Sequence, residues 1–389
     1  MIKRIAVFFV LLLSFQFSVL AAPDISAKRA ALMVADTREL IYGKNEHEQC
    51  GMASTTKIMT ALLTLECASP ERVIRVTEPM ITVEGTSMGL LPGDKVTFHD
   101  LVYGMLLASG NDAANTAAIS ISGNVKNFAG LMNKRAAQIG MTNTNFVTPS
   151  GLDAENHFST AYDMALLGCE AIENPDFCQV CSAENAKLYY GNEPYARWLY
   201  NHNKLLKGFD GVFGIKTGFT KKSGRCLVSA AERDGVRLVC VTLNAPNDWQ
   251  DHKSLLEYGF SVVSKKCIDL GSYSVEVFGG NKNRVDVSAN VAEFSSFCSA
   301  DGFETQIFLK PYIVAPVKSG EILGEARVLL KNKTVCTVEL TADENINAIT
   351  AETFEKPKLT DRINKKISDF VNKILSSIRE RLAVKTALN

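Results

Sequence analysis

Ser54 and Lys57 stand three residues apart in the run Met52-Ala53-Ser54-Thr55-Thr56-Lys57-Ile58-Met59. On a helix that begins near Ser54, positions i and i+3 share a face. A serine hydroxyl is a weak nucleophile that needs a base beside it, and a lysine serves once burial or a neighbouring cation lowers its pKa. Unpaired backbone N–H groups at a helix start favour developing negative charge. The chemistry this pair supports is acyl transfer through a serine ester. Alone the tetrad is weak, because an N-capping serine followed by a solvated lysine has the same spelling. Two further groups add weight. Ser109-Gly110-Asn111 lies among turn formers between two helical segments and offers a hydroxyl and an amide two residues apart. These can relay a proton and hold a substrate amide, or only cap a helix. Lys216-Thr217-Gly218 ends a strand-like run, with a glycine where backbone can approach a ligand closely, or with nothing more than an exposed strand end. The three groups in this order, 55 and 107 residues apart, are much harder to obtain by accident than any one of them.

The elements that must position these groups follow from periodicity. Ala30 to Ala35 and Leu40 to Tyr42 read as two strands joined by a polar turn. Helical spacing covers Ser54 to Cys67, Leu101 to Ala108, Ala113 to Ile119, Asn124 to Gly140 and Ala161 to Ile172. Ser109 to Asp112 reads as a turn. Val212 to Gly218, Arg225 to Ala231 and Val236 to Leu243 read as strands, the last two joined at the hairpin signal Asp234-Gly235. Trp249 to Phe260 returns to helical spacing. Helices around an antiparallel sheet are the natural packing of these pieces, a mixed α/β class. From about Cys267 the pattern changes to short strands: Val275 to Phe278, Val285 to Val287, Thr305 to Leu309, Ile322 to Leu330 and Thr334 to Leu340. The expected organisation is a motif-bearing domain over 24–264, a small all-β domain over 267–357 and a terminal helix over 358–389.

The two ends carry address signals. Lys3 and Arg4 precede an almost wholly apolar stretch from Ile5 to Leu20, with small residues at Ala21 and Ala22. Residues 1–22 have the layout of a secretory signal peptide; a retained membrane anchor is the alternative. In the tail, Ile363, Ile367, Phe370, Val371, Ile374, Ile378 and Leu382 fall on one helical face, with eight basic against three acidic residues around them. A basic amphipathic helix suits an anionic membrane surface, the other reading being a helix packed on its own domain or a partner. The net charge is zero over 389 residues, with 46% apolar and 22% charged, which is globular composition with nothing to attract nucleic acid. The ten cysteines include several inside apolar runs and read as small hydrophobes. Cys178 and Cys181 form a lone CxxC with no second pair, and the five histidines are scattered, so no metal centre is expected.

Ser-x-x-Lys, Ser-x-Asn and Lys-Thr-Gly together are the signature of penicillin-binding proteins and serine β-lactamases. The surroundings, Met52 to Ala61, Leu107 to Ala114 and Phe146 to Leu152, resemble the low-molecular-weight D-alanyl-D-alanine carboxypeptidases, and the likeness runs from about residue 26 to 264. It implies the DD-peptidase fold and, for the rest of the chain, the family's second domain and membrane anchor. It also implies roles. Ser54 attacks the carbonyl between the last two D-alanines of a peptidoglycan stem peptide, and Lys57 takes its proton. Ser109 passes a proton to the departing D-alanine, and Asn111 orients Lys57 and substrate. Lys216 supplies positive charge, Thr217 binds the terminal carboxylate, and the backbone N–H groups of Ser54 and Phe219 form the oxyanion hole beside Gly218. β-Lactams would be covalent inhibitors, no cofactor would be needed, and the enzyme would work on the outer face of the cell membrane. Phe219 stands where relatives often carry His, and Arg225 is the candidate for the arginine that assists carboxylate binding in some of them. The Glu-x-x-Leu-Asn segment of class A β-lactamases is absent between Asn111 and Lys216. A D,D-endopeptidase or transpeptidase on the same site, and a silent wall-binding module, are the other readings.

Overall fold

The structure, a computed structural model, describes residues 22–289, 291–297, 302–349, 364–373 and 375. Strands β1 (Arg29–Val34) and β2 (Leu40–Lys44) open the fold. A single 3-10 turn, Ala53–Thr56, leads into helix α1 (Lys57–Cys67). Short β3 (Val73–Arg75), α2 (Glu78–Ile81) and β4 (Lys95–Thr97) follow. Helices α3 (Phe98–Leu106), α4 (Asn111–Ser122), α5 (Val125–Ile139) and α6 (Ala161–Ala171) form the helical body, each side chain at Thr97, Asn124 and Thr160 capping the helix that it precedes. Helix α7 (Pro175–Ser182) precedes a hairpin of β5 (Asn185–Gly191) and β6 (Pro194–Tyr200). A helical turn α8 (Leu205–Gly208), three long strands β7 (Val212–Thr220), β8 (Gly224–Arg233) and β9 (Val236–Leu243), and α9 (Asp248–Val262) complete this part.

The main sheet has the order β2-β1-β9-β8-β7, antiparallel throughout. Strand alternation explains why it is covered on both faces. Ala30, Leu32, Val34, Leu227, Leu238 and Cys240 point to the side of α9, where they pack with Leu255 and Leu256. Ala31, Met33, Val228, Ala230, Val239 and Val241 point to the other, into a core with residues of α1, α3, α4, α5 and α6. The result is the expected antiparallel sheet sandwiched by helices, with the motif residues at the starts of α1 and α4 and on the edge strand β7.

Two local differences from the sequence reading matter. The expected turn at Ser109–Asp112 is shorter, because Gly110 acts as the N-cap and Asn111 already belongs to α4. Asp112 then sits in the first turn, where its charge suits the helix dipole. Glu184 to Tyr200, read as no element, contains the β5–β6 hairpin at the edge of a sheet ordered β3-β4-β5-β6. Its alternation is inverted, with aromatic residues on the solvent side, so the usual apolar-in signal of a strand is missing.

The remaining strands are β10 (Ser264–Ile268), β11 (Ser272–Phe278), β12 (Arg284–Ser288), β13 (Ala292–Ser296), β14 (Phe303–Leu309), β15 (Tyr312–Val314), β16 (Ile322–Leu330) and β17 (Lys333–Ala342). β10 pairs with β13, and six strands make a sheet of order β14-β16-β17-β12-β11-β15. One compact unit runs to Ile268 and includes Val291–Thr305 and Arg327–Thr337; the other holds Asp269–Asn290, Gln306–Ala326 and the chain from Val338 on. Residues 1–21 of the expected signal segment lie outside the described residues. Of the terminal helix, residues 364–373 are helical and exposed, and its other residues up to 389 lie outside the described ones except 375. No described helix is long and apolar enough to cross a membrane.

Candidate active site

Ser54 sits in the 3-10 turn before α1. The chain enters that turn through Ala53 in a left-handed backbone (φ 50°), a conformation that costs a residue with a Cβ about 1–2 kcal/mol. Packing from Phe146–Leu152 holds it there. An added Cβ at Gly151 would lie 2.0 Å from the Ala53 carbonyl oxygen, so only glycine admits that approach. His157 ties the same segment to the turn: its Nδ1 accepts from the Val147 N–H at 2.9 Å and its Nε2 lies 3.0 Å from Thr56 Oγ1. The first bond leaves the ring proton on Nε2, which donates to Thr56. Burial lowers the imidazole to about 4, so it is neutral at pH 7.

Lys57 begins α1 and is fully buried. Its Nζ lies 2.6 Å from the Ser150 carbonyl oxygen, 2.7 Å from Asn111 Oδ1 and 3.1 Å from Ser54 Oγ. Burial first, and then the nearby Lys216 cation, push its ammonium well below the ordinary lysine value, against an opposing effect of Asp112. A neutral amine has two N–H bonds and one lone pair. The two shorter contacts go to carbonyl oxygens, which only accept, so they take both N–H bonds. The lone pair is left facing the Ser54 hydroxyl, as a general base requires.

Asn111 can present only its oxygen to Lys57, because its Nδ2 donates to the Glu84 carbonyl at 2.6 Å. Gly85 makes room for that amide: a Cβ there would lie 2.7 Å from Nδ2. Buried Asp112 holds the segment in place by accepting from Ser87 Oγ and from the N–H groups of Met88, Gly89 and Leu90. Ser109 has a left-handed backbone (φ 59°), and its carbonyl accepts from Thr86 Oγ1 at 2.6 Å. Its hydroxyl makes no hydrogen bond to a described residue.

On β7, Lys216 is buried, and that burial lowers its ammonium to about 7. Its Nζ donates to the Thr217 carbonyl at 3.0 Å. At Gly218 the strand runs flush against the nucleophile turn: an added Cβ would lie 3.0 Å from both the Ser54 and the Thr55 nitrogen. Phe219, one residue on, has a 65% exposed side chain and pairs in register with Arg225 on β8. Arg225 donates to Asp248 Oδ1 at 2.8 Å and lies over the Trp249 ring at 5.6 Å.

A cavity of about 460 Å³ brings these groups together. Ser54, Ser109, Asn111, Thr217, Gly218 and Phe219 line it, with Arg225, His202, Lys204 and Trp249 on its remaining wall. Lys57 and Lys216 are buried rather than on the lining. Sequence reasoning missed His202, whose imidazole is lowered by burial and by Lys216, and the backbone carbonyl of Ser150, which has no side-chain signature. Asp112 could have been found, since it directly follows the second motif. A larger cleft of about 930 Å³ lies elsewhere, and most of its charged side chains are paired, among them Arg237 with Asp36 and Glu173, and Lys265 with Glu293. Among the described residues no three His, Cys, Asp or Glu side chains gather as metal ligands, and none of the described cysteines is in a disulfide.

Sheet, helices and the paired Ser54 and Lys57 side chains fit a serine peptidase of the DD-peptidase fold. The family profile described as D-alanyl-D-alanine carboxypeptidase matches residues 16–247, which include every motif residue, and the chain belongs to that family of serine peptidases. The chain is 32% identical over 351 residues to D-alanyl-D-alanine carboxypeptidase DacC of Escherichia coli, covering 84% of this chain and 85% of that protein. It is 29% identical over 349 residues to DacF of Bacillus subtilis, covering 86% and 90%. Among solved structures, penicillin binding protein 5 from Haemophilus influenzae is similar with a TM-score of 0.61 and 27% identity, over 84% of this chain and 98% of that one. A DD-transpeptidase from Streptomyces is similar with a TM-score of 0.60 and 28% identity, over 62% and 100%.

Proposed function

We propose that this carboxypeptidase removes the terminal D-alanine from peptidoglycan stem pentapeptides through an acyl-enzyme on Ser54. The observation that carries the reading is the hydrogen-bond set of Lys57, which leaves its lone pair for the Ser54 hydroxyl. Ser54 Oγ bonds to the carbonyl carbon between the last two D-alanines as its proton moves to Lys57 Nζ. The oxyanion is received by the N–H groups of Ser54 and Phe219; removing one such donor typically costs ~10²–10³ in rate. The C–N bond then breaks, and the proton passes through Ser109 to the amine of the departing D-alanine. Water, deprotonated by Lys57, cleaves the ester and restores Ser54. Thr217, Lys216 and Arg225 receive the substrate's carboxylate, and Asn111 holds Lys57 and the peptide amide. A β-lactam acylates Ser54 by the same steps, but its ring keeps the leaving amine attached. Ser54→Ala is expected to abolish both D-alanine release from a D-Ala-D-Ala peptide and labelling by fluorescent penicillin. D-alanine release at the parent rate would overturn the assignment. The likeness to a DD-transpeptidase keeps one second reading open, and a defined muropeptide separates the two: free D-alanine alone marks hydrolysis, a cross-linked dimer marks transfer.

We also propose that the enzyme is exported and held at the outer face of the cell membrane by its tail. The signal-like start and the tail's eight basic residues support this, as do Ile367, Phe370 and Val371, exposed on the helical part of the tail. Surface attachment through such a helix is expected to be salt-sensitive. The mature protein should sediment with anionic vesicles and a version ending near residue 357 should not; equal behaviour of the two would refute the anchor.

A further inference from the structure

We propose that the outward face of the β5–β6 hairpin, with the cleft at its foot, binds the N-acetylated aminosugar strand from which the stem peptide hangs. The inference rests on the wall-peptide reading above. The hairpin register pairs Asn185 with Tyr200, Lys187 with Trp198 and Tyr189 with Ala196, so these side chains share one face. Three of them are aromatic and stand in water: Tyr189 is 62% exposed, Trp198 55% and Tyr200 62%. On the opposite face Tyr190 and Leu199 are buried, so folding has already used that side of the hairpin at these positions. Exposed rings gathered on one rigid face mark a binding surface rather than a packing need. Successive positions on a strand face lie about 7 Å apart, which makes a row of rings about 14 Å long.

Rings spread over one face of two paired strands suit a particular chemistry. A pyranose ring offers an apolar face of C–H bonds and a rim of polar groups. The C–H bonds stack on the negative face of an aromatic ring. Lys187, whose ammonium lies 5.5 Å from the Tyr189 ring centre and 5.9 Å from that of Trp198, stands among the rings as a donor for hydroxyl, acetamido or carboxylate oxygens. The Asn185 side chain, which hydrogen-bonds to no described residue, adds an amide at the row's end.

Continuity with the catalytic cavity decides for a glycan over other partners. Asn185 and Tyr200 line a cleft of about 440 Å³ whose wall includes Lys204. Lys204 also lines the catalytic cavity, together with His202. The chain leaving β6 at Tyr200 is therefore the shared wall of both spaces. The catalytic cavity has room for the end of a short peptide, and an extended five-residue stem reaches about 17 Å, so the sugar at its other end lies within that distance of the cavity.

The test compares two substrates with the mature protein: a free stem pentapeptide, and the same peptide on its disaccharide. The parent enzyme should release D-alanine from the disaccharide form with a higher kcat/KM, by about tenfold for two stacking rings. The double variant Trp198→Ala, Tyr200→Ala should lose that preference and keep the parent rate on the free peptide. Absence of a preference in the parent, or an equal loss on both substrates, overturns the inference. Binding of peptide-free glycan strands, followed by Trp198 fluorescence, is the second arm and needs no turnover. A failure of D-alanine release with glycan binding intact strikes the peptide reading alone. Loss of vesicle binding by the double variant, with glycan binding absent in the parent, assigns the face to a membrane and refutes the proposal.

Discussion

Placing a charge beside Lys57 tests whether it works as a neutral base. Asn111→Asp preserves the shape of the side chain and the oxygen that accepts from Lys57 Nζ at 2.7 Å. It replaces a carbonyl oxygen by a carboxylate. At that distance and an effective dielectric of ~20, the attraction between carboxylate and ammonium is about 6 kcal/mol. At 1.36 kcal/mol per unit this raises the Lys57 pKa by about four units, and half of that energy still raises it by about two. The sign is unambiguous, since the carboxylate favours the protonated lysine, which has no lone pair for Ser54. The rising limb of the pH–rate profile for acylation by a fluorescent penicillin is therefore expected to move up by about two units or more, and at pH values on the parent's rising limb the rate to fall by about 100-fold or more. Asn111→Ala is the control. It also removes the orienting contact and slows the reaction, but adds no charge, so its rising limb should not move upward. An unmoved limb in Asn111→Asp, or an equal upward move in Asn111→Ala, would refute the neutral-base argument.

Gly218→Ala sets a methyl group 3.0 Å from the Ser54 and Thr55 nitrogens, so β7 must back away from the nucleophile turn by a few tenths of an ångström. Penicillin acylation should fall by about 10²-fold, as for a displaced oxyanion donor, while melting reports a loss of only about 1–3 kcal/mol. Unchanged acylation would show that this approach does not shape the oxyanion site. The buried histidines set the acid limit. Burial holds His157 at about 4 and His252 at about 3, against an ordinary value of 6.5. Below pH 6.5 the unfolded chain takes up protons on these two histidines that the native state refuses, so their contribution is whole above that pH and falls as the pH drops towards 4 and then 3. At pH 5 the loss should reach roughly 4 kcal/mol relative to pH 7.5, and melting curves that coincide at the two pH values would contradict it.

How far the sequence discloses this enzyme depends on where each signal resides. The main sheet was legible because Ala30 to Val34, Arg225 to Ala231 and Val236 to Leu243 are dense in branched and small residues, and α9 because its apolar positions recur at helical spacing. The β5–β6 hairpin was not, since its aromatic residues face outward and invert the pattern that marks a half-buried strand. The three motifs were legible as residue types, but their working states were not. Nothing in the letters of Lys216-Thr217-Gly218 separates an exposed strand end from a lysine so buried that its ammonium falls to about 7. The same holds for Lys57. The direction in which its lone pair points depends on Asn111, whose amide is turned by a backbone carbonyl at Glu84, and on the backbone carbonyl of Ser150, 93 residues along the chain. Main-chain acceptors have no spelling of their own. What the sequence does record is the set of residues that allow those carbonyls to arrive: Gly85, which leaves room for the Asn111 amide; Gly151, which admits the Ala53 carbonyl; and Asp112, which accepts four hydrogen bonds from Ser87 to Leu90. On the proposed mechanism a serine and a lysine three residues apart become a nucleophile and a base only through these supports, which is why Ser-x-x-Lys alone is common and the chemistry is not.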